Sequence, residues 1–113
     1  MIARLWRGVT RAKDAAAYLA YLKRTGVAEI LHVKGNRGIH LLHRIDGGQA
    51  EFLFISLWDS FDAIRNFAGP DAGTAVYYPQ DRDYLLELTP NVIHYELEKF
   101  DSTNAAGASS LEK

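Results

Sequence analysis

The sequence has no cysteine, only three prolines and a single methionine among its 113 residues. Without cysteine there are no disulfides, thiolate metal sites, cysteine nucleophiles or iron–sulfur clusters. No apolar run approaches the roughly 20 residues of a membrane-spanning helix, and the first residues lack the apolar core of a signal peptide. We therefore expect a cytoplasmic protein that has no membrane partner.

An excess of charge of one sign is also missing. Thirteen Lys and Arg residues balance fourteen Asp and Glu residues, which leaves a formal net charge of −1. Such a balance provides no overall field to attract nucleic acid, so we expect no nucleic-acid partner. With 48% apolar and 24% charged residues, the composition is that of one globular domain with an ordinary core.

The patterning of the first third predicts a strand followed by a helix. Residues 2–9 alternate as a strand does. Thr10 is placed to cap the helix, and Gly26 is placed to end it. The apolar stripe of this helix consists of Ala15, Tyr18, Leu19 and Leu22. Residues 27–34 fit either a further helical turn or an extended connection.

The middle of the chain predicts a hairpin and a second helix. Strands over 39–45 and 51–58 flank the turn signal Asp46-Gly47-Gly48. Ser60 is placed to cap the helix that follows, and Gly69-Pro70 is placed to end it.

The last third predicts a short helical segment that opens at Pro79 and a final strand over residues 91–100. Residues 101–113 are small and polar, which is typical of a disordered tail. We therefore predict one domain over residues 1–100 and a disordered tail over 101–113.

The order β-α-β-β-α-β predicts a ferredoxin-like α+β fold, in which two helices cover one face of a four-stranded antiparallel sheet. On the third strand Phe52, Phe54 and Trp58 share one face, and Leu53, Ile55 and Leu57 share the other. If the helices cover the leucine face, the aromatic face needs another cover, and a second copy of the chain is the simplest one. We therefore predict a homodimer.

Three segments carry a resemblance to a known family: I-S-L-W-D-S over 55–60, A-V-Y-Y-P-Q-D over 75–81 and V-I-H-Y-E over 92–96. Together with the element order, they resemble the antibiotic biosynthesis monooxygenase family of the dimeric α/β-barrel superfamily. This resemblance implies a homodimer with a cavity in each subunit, between the sheet and the helices.

The resemblance also implies two kinds of chemistry. Some relatives oxygenate phenolic or quinol-like aromatics without a metal or flavin, and others degrade haem. Both kinds use a Trp at the strand–helix joint, where this chain has Trp58. The Asn that relatives commonly carry on the first strand is absent. The haem-degrading relatives carry a proximal His on the next helix, but this chain has no His between His43 and His94, which argues against haem degradation.

Three residues are candidate catalytic groups. Trp58 could stack an aromatic substrate or could belong to the core. A neutral His94 inside a pocket could accept a phenolic proton, or it could be a structural His bonded to backbone or to Glu96 of the partner subunit. Arg4 could bind a carboxylate or phenolate oxygen, although a salt bridge to Asp59 or Glu96 is the favoured alternative.

Five further residues are candidates for contacting the substrate: Trp6, Phe54, Ser56, Tyr77 and Tyr78. The two tyrosines could donate hydroxyls at the pocket mouth or could simply anchor their loop.

No His or acidic motif has metal-ligand spacing, and no phosphate-binding loop is present. We therefore expect no cofactor and no metal. The sequence favours a cofactor-independent monooxygenase that acts on a small aromatic, quinol or polyketide-like molecule. The alternative is a non-catalytic module that binds a hydrophobic ligand or haem. An RNA-binding domain shares the strand order but would need a basic-aromatic motif that the third strand lacks.

Overall fold

A computed structural model describes residues 1–102, so most of the predicted tail lies outside the described residues. Four strands form one antiparallel sheet in the order β2-β3-β1-β4: β1 (Ile2–Arg11), β2 (Asn36–Asp46), β3 (Gln49–Trp58) and β4 (Ile93–Glu96). With the intervening helices, this order is the predicted ferredoxin-like α+β fold.

The helical elements are short. Helix α1 (Ala15–Leu22) runs through a π-helical turn (Lys23–Val27) into α2 (Ala28–Ile30), and it is preceded by a 3-10 turn (Ala12–Asp14). Helix α3 (Phe61–Ala68) follows β3, and α4 (Asp81–Tyr84) precedes β4. None of the helices within residues 1–102 is long and apolar enough to cross a membrane.

The predicted limits of the first helix are wrong at both ends. Thr10 is not a cap but a buried residue of β1 that pairs with Ala50, which makes β1 two residues longer than predicted. Gly26 does not stop the helix, because its φ is not positive and the chain continues through the π-helical turn. This continuation brings Ile30 into the core, and it resolves the ambiguity of residues 28–30 in favour of helix.

The turn and cap signals in the middle of the chain are confirmed. Gly47 adopts a φ of 63° in the two-residue loop between β2 and β3. The Ala63 N–H donates to Ser60 Oγ at 3.1 Å, and Gly69 ends α3 at a φ of 93°. The final strand is shorter than predicted at both ends, because Glu96 already pairs with Ile2, the first residue of β1, and Asn91 bridges to Thr74.

The helices do not cover the leucine face of β3, so the condition on which the homodimer argument depended is not met. The helices cover the aromatic face, where Phe52, Phe54 and Trp58 are buried in the core. Leucine and isoleucine side chains lie on the open face, and Leu42 of the neighbouring β2 is 48% exposed there. The bulky aromatic rings therefore fill the space between sheet and helices, and the open face is the one that lacks a cover.

Candidate functional site

A small cavity lies between the covered face of the sheet and the helices. Its volume is about 40 Å³, which is room for about three water-sized molecules. Residues from every layer of the domain line it: Arg4, Trp6, Tyr18, Leu22, Gly26, Ile30, Phe54, Phe67, Val76, Tyr78 and Asp81. The lining is mostly apolar and aromatic, with one cationic and one anionic side chain.

The cationic side chain is Arg4, which is only 4% exposed. Its Nη2 donates to the Thr74 carbonyl at 2.7 Å, and the guanidinium lies over the Phe67 ring at 5.4 Å. Its Nε is buried and has no hydrogen-bond partner among residues 1–102. Burial lowers the pKa of Arg4 to about 10, so the side chain remains charged at neutral pH.

The acids expected to pair with Arg4 pair elsewhere. Asp59 accepts both bonds of a fork from Arg37 at 2.7 Å, and Glu96 pairs with the amino terminus at 3.1 Å. Within the described part of the chain, no carboxylate lies within 4.0 Å of the Arg4 guanidinium. The salt-bridge alternative for Arg4 is therefore wrong in this structure.

The anionic side chain is Asp81, which is 4% exposed at the start of α4. One of its oxygens accepts from the Tyr18 hydroxyl at 2.9 Å, and the other accepts from the Tyr78 N–H at 2.6 Å. Burial raises the pKa of Asp81 above its usual range, although both hydrogen bonds act in the opposite direction. Burial likewise raises the pKa of Tyr18.

Sequence reasoning missed both Tyr18 and Asp81. An acid in the first turn of a helix is common because it complements the helix dipole, so Asp81 carries no distinctive signal. Tyr18 was assigned only to the apolar stripe of α1. The one clue was its hydroxyl, because a buried tyrosine usually requires a hydrogen-bond partner.

Trp6 is held in place along β1. Its ring lies over Gly8, where an added Cβ would come within 2.2 Å of the indole, so a larger residue would displace it. The indole Nε1 donates to the Tyr77 hydroxyl at 3.3 Å, and that hydroxyl donates to the Thr89 carbonyl at 2.5 Å. Tyr77 thus supports a cavity wall without lining the cavity itself.

The cavity is partly open, and half-buried Tyr78 from the loop 69–80 lines its mouth. Its hydroxyl donates to the Glu29 carboxylate, which is exposed on α2. Opposite the ring lies Gly26, where a Cβ would be 3.8 Å from Tyr78 and 3.5 Å from Phe54. Burial and the bond to Glu29 raise the pKa of Tyr78, so the phenol stays protonated.

Trp58 belongs to the core and does not line the cavity. It is fully buried, its ring stacks on Phe67 at a centroid distance of 6.2 Å, and its Nε1 donates to Ser56 Oγ at 2.8 Å. The cavity wall at this point is formed by Phe67. Ser56 likewise serves Trp58 and not the cavity.

His94 lies next to Arg4, because the two residues are paired between β4 and β1 and share the covered face. Phe61 contacts its ring edge-on at 5.1 Å. Nε2 is buried without a hydrogen-bond partner in the described residues. Burial, with a smaller contribution from Arg4, lowers the pKa of His94, so the ring is neutral at pH 7. His94 is not one of the residues lining the cavity.

The structure thus brings together four of the eight residues predicted for the site: Arg4, Trp6, Phe54 and Tyr78. The other four lie behind or beside the cavity wall: Ser56, Trp58, Tyr77 and His94. Across residues 1–102, no group of three or more His, Asp or Glu side chains is arranged to hold a metal ion.

Comparison with known proteins provides evidence on the fold. No protein-family model matches the chain, and neither does any curated protein sequence. Among solved structures, the chain is similar to that of Rv0793 from Mycobacterium tuberculosis, with a TM-score of 0.52 and 20% sequence identity. The match covers 91% of this chain and 98% of that one. At this identity the likeness supports the ferredoxin-like α+β fold and nothing finer.

Proposed function

We propose that this chain oxygenates a small phenolic or quinol-like aromatic without a cofactor, in the cavity between the sheet and the helices. One observation carries the proposal: a buried guanidinium without an acid partner and a buried carboxylate with a raised pKa line the same aromatic cavity. Perturbed ionisable groups in a cleft are typical of functional sites.

Asp81 takes the role of general base. A carboxylate has about four lone-pair sites, and Tyr18 and Tyr78 occupy only two of those on Asp81. The raised pKa makes it a better proton acceptor near neutral pH. Arg4 contributes the positive field that stabilises the phenolate formed by proton loss.

The phenolate is the electron-rich form of the substrate that reacts with dioxygen. In the net reaction one oxygen atom enters the ring system, the other leaves as water, and the substrate supplies the electrons. Trp6, Phe54 and Phe67 provide the apolar walls that exclude bulk water from this step.

The cavity of about 40 Å³ is far smaller than the roughly 300–1,000 Å³ typical of ligand pockets. An aromatic ring must therefore displace part of the wall. Tyr78 is the part that we expect to move, because it is half-buried, lies on a loop, and its hydroxyl is anchored by the exposed Glu29. We expect its ring to swing outward when the substrate enters.

Dioxygen consumption against a panel of quinols and phenols tests the activity. We expect uptake above the protein-free rate with at least one member, and a loss of roughly 10²–10⁴-fold in Asp81→Asn. Asp83→Asn is the matched control, since Asp83 is exposed on the same short helix. No uptake with any member, or full activity in Asp81→Asn, would contradict the proposal.

Binding without turnover is the second candidate. The small volume favours it, because a cavity of this size offers no room for dioxygen beside an aromatic ligand. Haem is the less favoured ligand, since no His of residues 1–102 lines the cavity and the raised pKa values of Tyr18 and Tyr78 disfavour an iron-bound phenolate. A haemin titration tests this ranking of ligands. A Soret shift at stoichiometric haemin would show that haem binds and would overturn the ranking.

We propose in addition that two copies associate through the open face of the sheet. Three large apolar residues of this face are about half exposed in the single chain: Leu42, Ile93 and Tyr95. Sedimentation should give twice the 12.7 kDa of one chain, and Tyr95→Asp should give a monomer. A monomeric wild-type protein at micromolar concentration would contradict this assembly.

A further inference from the structure

Arg4 is a buried cation whose charge nothing beside it neutralises. Proteins keep buried charges paired with opposite charges or hydrogen-bonded, because removing an unpaired charge from water is costly. Among residues 1–102, only the Thr74 carbonyl accepts a bond from this guanidinium, and a carbonyl carries no full charge. The Nε donor is buried and left unused among the described residues, and Arg4 is one of the residues that line the cavity.

Asp81 does not neutralise Arg4, although it lines the same cavity. Its oxygens bind Tyr18 and Tyr78, and it lies more than 4.0 Å from the guanidinium nitrogens.

His94 does not neutralise Arg4 either. It is the nearest titratable residue on the neighbouring strand, and its ring is neutral. The hydroxyl of Tyr78, the other titratable group that acts on Arg4, is also protonated. No acceptor of the described chain therefore lies within hydrogen-bond distance of Arg4 Nε, and no ionised acid lies within 4.0 Å of the guanidinium.

We infer that this cavity selects anions: its ligand is a small carboxylic acid, or a comparably acidic oxygen compound, whose charged oxygen accepts a hydrogen bond from Arg4 Nε. Its apolar body would lie against Phe54 and Phe67, which line the same cavity. A hydroxyaryl acid would satisfy Arg4 with its carboxylate and Asp81 with its hydroxyl. The inference shares with the proposed function only the assumption that this cavity is the binding site, and it does not depend on any reaction with oxygen.

Matched pairs of an acid anion and its neutral amide test this inference. Benzoate and benzamide have nearly the same shape, and acetate and acetamide form a smaller pair, which requires less widening of the cavity. In the wild-type protein at constant ionic strength, we expect a saturable downfield shift of the Arg4 Hε resonance with the anions. The anion of at least one pair should bind about tenfold or more tightly than its amide.

Two variants connect the preference to this side chain. Arg4→Met removes the charge at similar volume and should abolish the preference for the anion. Arg7→Met is the control, because Arg7 lies on the same strand but is exposed on the other face and pairs with Glu51. If Arg4→Met does not fold, Arg4→Lys replaces it, because lysine keeps the charge but lacks Nε and should weaken the preference for the anion. The shift of the Arg4 Hε resonance is measured in the wild-type protein and does not depend on any variant.

Three results would overturn the inference: equal binding of anion and amide, a preference that survives in Arg4→Met, or no binding of either pair at millimolar concentrations. These results are separable from the oxygen measurement. Anion-selective binding without oxygen uptake would leave the inference standing and remove the proposed activity. Uptake of neutral quinols without any anion preference would do the reverse.

Discussion

Arg4 and Arg7 lie three residues apart on β1 and point to opposite faces of the sheet. Arg7 is exposed on the open face, where Glu51 pairs with it and with Arg44. Arg4 is buried on the covered face and has no acid within reach in the described residues. An arginine therefore forms ordinary surface ion pairs on the open face, whereas an arginine on the covered face has a charge that no described acid balances. The unbalanced charge makes the covered face the better place to look for a binding site.

The apolar residues of the two faces show the opposite contrast. On the covered face they are core residues, and Phe52 is fully buried against the Tyr18 ring at 5.2 Å. On the open face Leu42 is 48% exposed. Both features would be stabilised by binding. A ligand could neutralise the unpaired charge in the core, and a protein surface could cover the exposed apolar face.

Truncation of one residue on each face should give the largest difference. Phe52→Ala should lower the free energy of unfolding by about 3–5 kcal/mol because it leaves a cavity in the core. Leu42→Ala should cost less than about 1 kcal/mol in the monomer. Urea unfolding at low protein concentration measures both. A cost at Leu42 that grows with protein concentration would show that a second copy covers the open face, and equal costs at low concentration would contradict the contrast.

A smaller effect is expected at Ser56, which also lies on the covered face. Ser56→Ala should lower the free energy of unfolding by about 1–3 kcal/mol, because the buried Trp58 Nε1 loses its acceptor. The control is the same substitution in a Trp58→Phe background, where no N–H remains and the cost should fall below about 1 kcal/mol. An equal cost in both backgrounds would mean that Ser56 acts through packing alone.

The sequence was sufficient to predict the element order, because caps, hairpin turns and alternation are local signals. It could not decide which face of β3 the helices cover, since Phe52 and Phe54 alternate with Leu53 and Ile55 and both faces are apolar. The stop signal at Gly26 failed because burial of Ile30 further along the chain outweighs it. Tertiary packing settled both outcomes.

The candidate site was only partly predictable for a similar reason. Arg4, Trp6 and Phe54 were found because alternation places them on one face of adjacent strands. Trp58 was an ambiguous case, and Phe67 stands between it and the cavity. Asp81 meets Tyr18 across 63 residues of chain, and no local pattern encodes that contact.

The pH dependence of stability tests the neutral His94. Its folded-state pKa lies below the ordinary value of 6.5, so below pH 6.5 the unfolded chain binds a proton that the folded chain does not. This contribution to stability is present above pH 6.5 and is lost as the pH falls toward the folded-state pKa. His94→Gln should remove it, so the wild-type advantage over the variant should shrink between about pH 8 and pH 5.

The control for this profile is a histidine on the other face. His40→Gln removes an exposed side chain on the open face and should leave the wild-type pH dependence in place. Urea unfolding across the same pH range measures all three proteins. The opposite result would be a stability difference between wild type and His94→Gln that grows as the pH falls. It would mean that His94 is charged in the folded protein, so that Arg4 would not be the only cation of this β1–β4 pair.

The smallest effect is expected at the cavity mouth, from Gly26→Ala. Because the φ of Gly26 is not positive, Ala can adopt its conformation, and the new methyl would make ordinary contacts with Phe54 at 3.5 Å and Tyr78 at 3.8 Å. The free energy of unfolding should rise by about 0.4–1 kcal/mol.

Gly48→Ala, in the hairpin loop with no atom within 4 Å of its new methyl, is the control that shares the backbone effect. Only Gly26→Ala should weaken benzoate binding, since only it reduces the cavity. Equal weakening by both variants would place the binding site away from Gly26, whereas a gain in stability together with a loss of binding would show that this glycine keeps space open for the ligand.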